Sequence, residues 1–338
     1  MRAVGYQESL PIDAPAALVD IELPKPVPTG RDLLVEVRAV SVNPVDTKVR
    51  RRAKPEPGQW KVLGYDAVGV VAAIGADATL FKPGDAVFYA GDVNRQGTNA
   101  EFHLVDERIV GRKPASLDWA EAAALPLTAI TAWEALFDRL DVRKPVPGET
   151  QAILIIGGAG GVSSIAIQLA RRLTDLTVIA TASRPETHSW VQQLGAHHVI
   201  DHAKPLADQV AALGAAVPGF VFSTTNTDKH LAEIAKLIAP QGRFALIDDP
   251  ATLDVVTLKR KCVSVHWELM FTRSTFQTAD MPEQGVLLNA VADLVDAGTI
   301  RTTVGERFGP INAVNLKRAH ALIESGRARG KVVLEGFG

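Results

Sequence analysis

The 338-residue chain reads as an α/β protein of two domains, a partly open β-barrel and a doubly wound parallel sheet. Three observations predict this. Short apolar runs broken by glycine and proline fill much of the first 110 residues. From residue 151 apolar strands alternate with amphipathic helices, which implies right-handed crossovers and parallel pairing. And 338 residues exceed what a single core usually fills.

In the first part, residues 33–40 alternate in part, as a strand with one wet face does. Turn signals follow at Asn43-Pro44, across 53–58, at Gly64, Gly69 and Gly75, and at Pro83-Gly84-Asp85. Residues 68–74 and 86–90 are short apolar runs between these turns. Strands so short and so closely spaced suit a partly open barrel. Near residue 118 the texture turns helical; Pro126 interrupts it and 128–140 resumes helical periodicity. Strands are then expected at 152–156, 177–182, 198–200, 219–222 and 242–247, with helices at 163–173, 190–194, 207–213 and 229–238 between them. Gly195 caps the second of these helices. The tail adds helices at 285–297 and 314–325 and a strand at 331–334.

A formal net charge of −2 gives no basic face for nucleic acid, and the basic runs at 50–52 and 259–261 are short. The single cysteine, Cys262, excludes an intramolecular disulfide framework and a multi-cysteine zinc site. The opening MRAVGYQESL lacks a signal pattern, and the most apolar stretches are too short to cross a bilayer. A soluble, cytoplasmic protein without membrane or nucleic-acid partners is expected.

The most informative stretch is Ile153-Leu154-Ile155-Ile156-Gly157-Gly158-Ala159-Gly160-Gly161-Val162-Ser163. A strand turns sharply into a helix here, inside a βαβ unit of the length that binds dinucleotides. Gly158 and Gly160 suit the turn and the close approach of a pyrophosphate. Ala159, Gly161 and Val162 complete a cradle whose free N–H groups face the phosphates. Ser163 stands at the usual third glycine. After the second strand an NAD enzyme normally places Asp or Glu on the ribose 2′-hydroxyl. This sequence has Ser183-Arg184, with Glu186 slightly beyond, and that pattern favours NADPH.

A β-rich first domain, a Rossmann domain and a return to the first domain resemble the medium-chain dehydrogenase/reductase superfamily. The carrying residues are Ser41-Val42-Asn43-Pro44-Val45-Asp46, Leu63-Gly64-Tyr65-Asp66-Ala67-Val68-Gly69, Phe81-Lys82-Pro83-Gly84-Asp85-Ala86-Val87, the stretch from Ala124 to Ala132, the glycine loop, and the closing stretch from Gly326 to Leu334. The resemblance implies a GroES-like catalytic domain over 1–124 and 270–338 and a Rossmann NADPH-binding domain over 125–269.

Zinc alcohol dehydrogenases of that superfamily hold a catalytic metal with a cysteine and a Gly-His-Glu motif. Asn43, Tyr65 and Asp66 stand there instead, and neither Cys nor His stands near Leu127. The chain thus resembles the zinc-free quinone oxidoreductase branch, often labelled zinc-type alcohol dehydrogenase-like. That resemblance implies hydride transfer from NADPH to a quinone or an α,β-unsaturated carbonyl. Asn43 and Tyr65 become candidate donors to the carbonyl oxygen, and Asp46 an acid that orients its neighbours. Thr131 becomes a hydroxyl facing the nicotinamide, and Gly330 and Lys331 a segment near the cofactor. Trp267, Met270 and Phe271 could line an apolar pocket or form a dimer core. His197, His198 and His202 read as surface or turn residues. A homodimer is expected. The competing readings are an alcohol or aldehyde dehydrogenase of the zinc type, and an NADPH-binding sensor or scaffold with little turnover.

Overall fold

The computed structural model describes residues 1–148, 151–214 and 216–337. It divides into two compact units, Met1–Ile130 with Phe271–Gly338, and Thr131–Met270. The first division falls at 130/131, inside the helix Pro126–Trp133, rather than at 124/125. Pro126 opens this helix, because a fixed φ and a missing N–H suit a first turn. Leu127 then donates its N–H to Asp66 and keeps the start of the helix in the first unit.

In the first unit the strand Asp32–Val42 is central, pairing with Lys331–Glu335, Ala67–Ile74 and Phe102–Asp106. Val304–Arg307, Ala86–Tyr89 and Val110–Arg112 extend this sheet to seven strands. A smaller sheet is built from Val19–Glu22, Arg2–Tyr6 and Lys61–Val62. The register places Val332 opposite Val42, so the residue before Val332 reaches the end of the central strand. There the expected turn at Asn43-Pro44 is instead the start of a helix, Pro44–Arg52. Asn43 is its N-cap and Pro44 its first residue, and the Asp46 carboxylate accepts the Asn43 N–H at 2.8 Å. An Asn-Pro pair serves a tight turn and a helix start equally well, which is why the sequence alone misread it.

The second unit is a six-stranded parallel sheet in the order His198–Ile200, Thr177–Thr181, Ala152–Ile156, Phe220–Ser223, Arg243–Leu246, Ser264–Trp267. Chain order reverses between Ala152–Ile156 and Phe220–Ser223, the switch point where such sheets open a crevice at their carboxyl ends. The five residues of Ala152–Ile156 are all buried, as both faces of a parallel strand must be. Leu154, Ile179, Val221, Phe244 and Leu246 meet in one core cluster. The sixth strand, Ser264–Trp267, was not expected from the sequence. It is an edge strand with neither face fully buried, so no apolar alternation marks it. Among the described residues no helix is long and apolar enough to cross a membrane.

Candidate functional site

The glycine loop turns at Gly157, whose φ is +80°, and not at Gly158 as the motif suggested. A Cβ at Gly157 would lie 2.7 Å from the Thr224 hydroxyl, so the position is closed twice over. Gly158 is required by packing, since a Cβ would lie 2.9 Å from the Thr181 carbonyl. Gly160 is different. Its nearest obstacle is the Gly157 carbonyl at 3.4 Å, and the space beyond is open. It is the N-cap of the helix Gly161–Leu173, and the amides of Gly161 and Val162 lie in a first turn that offers no intrahelical acceptor. Open space over the positive end of a thirteen-residue helix is a cradle that fits a pyrophosphate. Ser163, at the third glycine position, is buried and hydrogen-bonds Thr224 Oγ1 at 3.0 Å, tying this helix to the loop after Phe220–Ser223.

Thr181 ends the second strand. Its Oγ1 accepts the Gly157 N–H at 2.9 Å and contacts His202 Nδ1 at 3.1 Å. Ser183 is exposed, while Arg184 is half-buried and precedes the helix Pro185–Gln193. Arg184 Nε lies 3.3 Å from Glu186 Oε1, so Glu186 does bend back. His202 faces His230 with ring centroids 6.4 Å apart. Burial, and then Arg184, hold the His202 imidazolium below its usual pKa range, against the pull of Asp201. His202 lies in a turn, as one of the expected alternatives had it, but is half-buried and engaged by Thr181 rather than free on the surface. His197 is structural, its Nδ1 accepting the Val178 N–H at 2.9 Å.

In the first unit Asn43, Asp46, Tyr65, Asp66 and Lys331 are all buried. Asp66 Oδ1 accepts the Leu127 N–H at 2.7 Å, and Oδ2 accepts Asn43 Nδ2 at 2.7 Å and Lys331 Nζ at 3.0 Å. Lys331 also donates to the Val42 carbonyl at 3.1 Å and to Asn43 Oδ1. Asp46 Oδ1 holds the Gly64 N–H at 2.9 Å. Burial pushes Asp46 up to about 7, opposed by its bond from the Asn43 N–H and by the Lys331 charge. Tyr65 differs from the rest. Its ring meets Phe271 edge-on at 5.4 Å, and its buried hydroxyl has no hydrogen-bond partner. Burial raises the phenol far above its usual range, so the group stays a donor. A buried donor without an acceptor is costly unless something else completes it.

Sequence comparison places these features in a family. Residues 29–118 match the alcohol dehydrogenase GroES-like domain and residues 194–334 the zinc-binding dehydrogenase model. A zinc-type alcohol dehydrogenase-like protein of Staphylococcus aureus is 39% identical over 336 residues, 99% of each chain. The chain belongs to the medium-chain dehydrogenase/reductase superfamily. A solved structure from Rhizobium etli CFN 42, provisionally described as a zinc-dependent alcohol dehydrogenase, is 71% identical with a TM-score of 0.98, covering 100% of this chain and 98% of that one. The quinone oxidoreductase of Coxiella burnetii is 25% identical with a TM-score of 0.80 over 99% of both chains. Members of this superfamily are oxidoreductases that bind nicotinamide cofactors.

The residues of this medium-chain dehydrogenase/reductase do not fit a zinc ion at the position where zinc members hold one. Such a site needs three Cys, His or carboxylate donors free to converge. Here Asn43, Tyr65 and Asp66 stand in those places. Asp66 accepts three hydrogen bonds, the Asn43 amide is spent on Asp66 and Lys331, and the Tyr65 phenol is held protonated. A divalent ion would have to displace the Lys331 ammonium. Among the described residues no group of three or more His, Cys, Asp or Glu could hold a metal ion.

This geometry shows how two of the expected site residues are engaged. Asn43 is not a donor aimed at a substrate carbonyl, because its Nδ2 binds Asp66 and also lies 3.4 Å from the Tyr65 carbonyl and 3.5 Å from the Ser41 carbonyl. It is a positioning residue. The Lys331 ammonium is held inside the first unit, where three acceptors take its three N–H donors. Gly330 carries the chain at φ +60° into the strand that delivers Lys331, and Thr131 is buried in the helix Pro126–Trp133. Of the three apolar candidates, Met270 and Phe271 are buried, while Trp267 is 53% exposed.

One cluster was missed in the sequence. Glu134 opens a π-helical stretch, Glu134–Arg139, and is buried together with Glu268. Arg139 Nε donates to Glu268 Oε2 at 2.8 Å, while burial and then Glu134 push Glu268 up to about 9. A π-bulge leaves no periodic signature beyond that of an ordinary helix.

Proposed function

We propose that this chain is an NADPH-dependent, metal-independent reductase that delivers hydride to a quinone or an α,β-unsaturated carbonyl. The observation that carries this reading is the buried Tyr65 hydroxyl, protonated and without an acceptor, in a site whose other polar groups are paired with one another. When bound, a reduced nicotinamide supplies hydride to an electron-poor carbon. The negative charge then accumulates on a conjugated oxygen, where the Tyr65 O–H can donate a hydrogen bond to it. One proton from solvent completes the hydroquinone or saturated carbonyl. Delocalised anions of this kind need less stabilisation than a simple alkoxide, for which zinc would be the usual aid. Asn43, Asp46, Asp66 and Lys331 hold the backbone around Tyr65, and Thr131 and Gly330 are assigned to the nicotinamide side by family position. The cradle of Gly158, Ala159, Gly160, Gly161 and Val162 takes the pyrophosphate, and Ser183 with Arg184 takes the 2′-phosphate. The Glu186 contact must open for that phosphate, which the half-exposed pair permits.

A homodimer is part of the same reading, with the exposed edge strand Ser264–Trp267 and Leu269 as the surface a second copy would cover. The test is NADPH oxidation against a panel of quinones, enones and simple aldehydes, with and without chelator. Turnover of conjugated acceptors that is indifferent to chelator supports the proposal. One zinc per chain, with activity lost on its removal, overturns it.

A further inference from the structure

We propose that His202 is a specificity-determining residue, taking up a proton when the 2′-phosphate of NADPH binds and thereby making the preference for NADPH over NADH depend on pH. The inference rests on the NADPH reading above and deepens it. It begins with Thr181, the last residue of the second strand, where enzymes of this fold read the adenosine ribose. Its hydroxyl oxygen accepts the N–H of Gly157 in the glycine loop and contacts Nδ1 of His202. The imidazole is thus fixed to the strand end and, through one hydroxyl, to the loop that cradles the pyrophosphate.

The bonding tolerates either charge state. With the ring neutral, the Thr181 hydroxyl donates to Nδ1 and the ring hydrogen sits on Nε2. With the ring protonated, Nδ1–H donates to the second lone pair of Oγ1, and the Gly157 bond is untouched. The charges facing the ring are mixed. Arg184 disfavours a proton there, and Asp201 favours one. From the helix Thr227–Leu237 come His230, which His202, Lys229, Asp228 and Asp248 all influence, and Asp248 is itself engaged by the Thr227 N–H at 2.9 Å. Glu186, from Pro185–Gln193, is turned onto Arg184. Burial outweighs this mixed field and holds the His202 imidazolium below its usual pKa range in the free protein.

A 2′-phosphate brings about −1.5 to −2 charges to this strand end. It draws Arg184 away from Glu186 and adds to the pull of Asp201 against the burial that disfavours imidazolium, so His202 binds a proton along with the cofactor. NADH offers an uncharged hydroxyl there and draws none. By linkage, the affinity for NADPH rises as pH falls through the window between the free and bound His202 values, by at most about tenfold per pH unit for one proton. The affinity for NADH stays flat.

Isothermal titration calorimetry of NADPH, NADH and adenosine 2′,5′-bisphosphate, in buffers of different ionisation enthalpy, tests this without turnover. Wild-type protein is expected to take up protons with both phosphorylated ligands and none with NADH. In His202→Gln that uptake falls to what the phosphate's own titration contributes, and NADPH binds about tenfold more weakly near pH 6.5 while NADH is unaffected. No uptake by the wild type, or the same uptake in His202→Gln, overturns the role of His202 and leaves the NADPH reading standing. Equal affinity of the wild type for NADH and NADPH at every pH overturns both.

Discussion

Tyr65 and Lys331 are both buried, yet they are opposite cases. The Tyr65 hydroxyl satisfies nothing within the protein, so removing it should cost the fold nothing. Tyr65→Phe is expected to unfold at the wild-type temperature or slightly above it, while kcat with an enone falls about a hundredfold. A loss of stability alongside intact kcat would make the hydroxyl structural. Lys331 is the counterion of a carboxylate that is wholly buried. Lys331→Met should destabilise by about 3–5 kcal/mol, because a charge or its protonation is left uncompensated, and the double variant Asp66→Asn/Lys331→Met should recover much of that. Denaturant unfolding of the single and double variants reads this directly. The donor role of Tyr65 was expected from the family resemblance, whereas the pairing of Lys331 with Asp66 was not. Tyr65 could be placed only by its position in a motif, and Lys331 finds Asp66 across 265 residues through strand pairing alone.

The glycine loop separates what the fold demands of an element from what a ligand demands. Gly157→Ala meets a left-handed backbone and the Thr224 hydroxyl at 2.7 Å, and should cost upward of about 1 kcal/mol in stability. Gly160→Ala has room at 3.4 Å, so melting should be unchanged while the Kd for NADPH rises severalfold. Equal effects of the two on melting would remove the distinction. The motif itself was legible. Which glycine turns the chain was not, because adjacent glycines look alike until φ is known. The π-helical stretch Glu134–Arg139 shows the same limit. It brings Glu134 to Glu268, whose folded pKa of about 9 lies above the value near 4.3 of an unfolded glutamate. A raised carboxyl contributes stability that is fully present below about pH 4 and is lost as pH rises through about 9. Melting temperature should therefore fall between neutral and alkaline pH, and Glu268→Gln should flatten that slope.

At the scale of the whole chain, the parallel sheet was read almost strand for strand, since buried apolar runs between helices have few other meanings. What escaped is what periodicity does not mark. The strands Arg2–Tyr6 and Val19–Glu22 are short, Pro44–Arg52 hides behind an Asn-Pro pair, and Ser264–Trp267 lies at an edge. The metal question also belongs to this scale, since related proteins carry zinc in their descriptions while these residues pair with one another. Elemental analysis of the purified protein is expected to find less than stoichiometric zinc, with melting unchanged by chelator.

The strand Lys331–Glu335 lies beside the central strand Asp32–Val42, and this has a consequence for synthesis. Asp66 leaves the ribosome 265 residues ahead of the ammonium that will neutralise it. At ordinary elongation rates that is roughly 15–50 seconds. The contiguous second unit can close in that interval, whereas the first unit must wait with an unclosed sheet and an exposed strand edge. Nascent chains halted before residue 331 should thus yield a protease-resistant core from residues 131–270 and a digestible N-terminal third, a stage at which a holding chaperone would have most to protect.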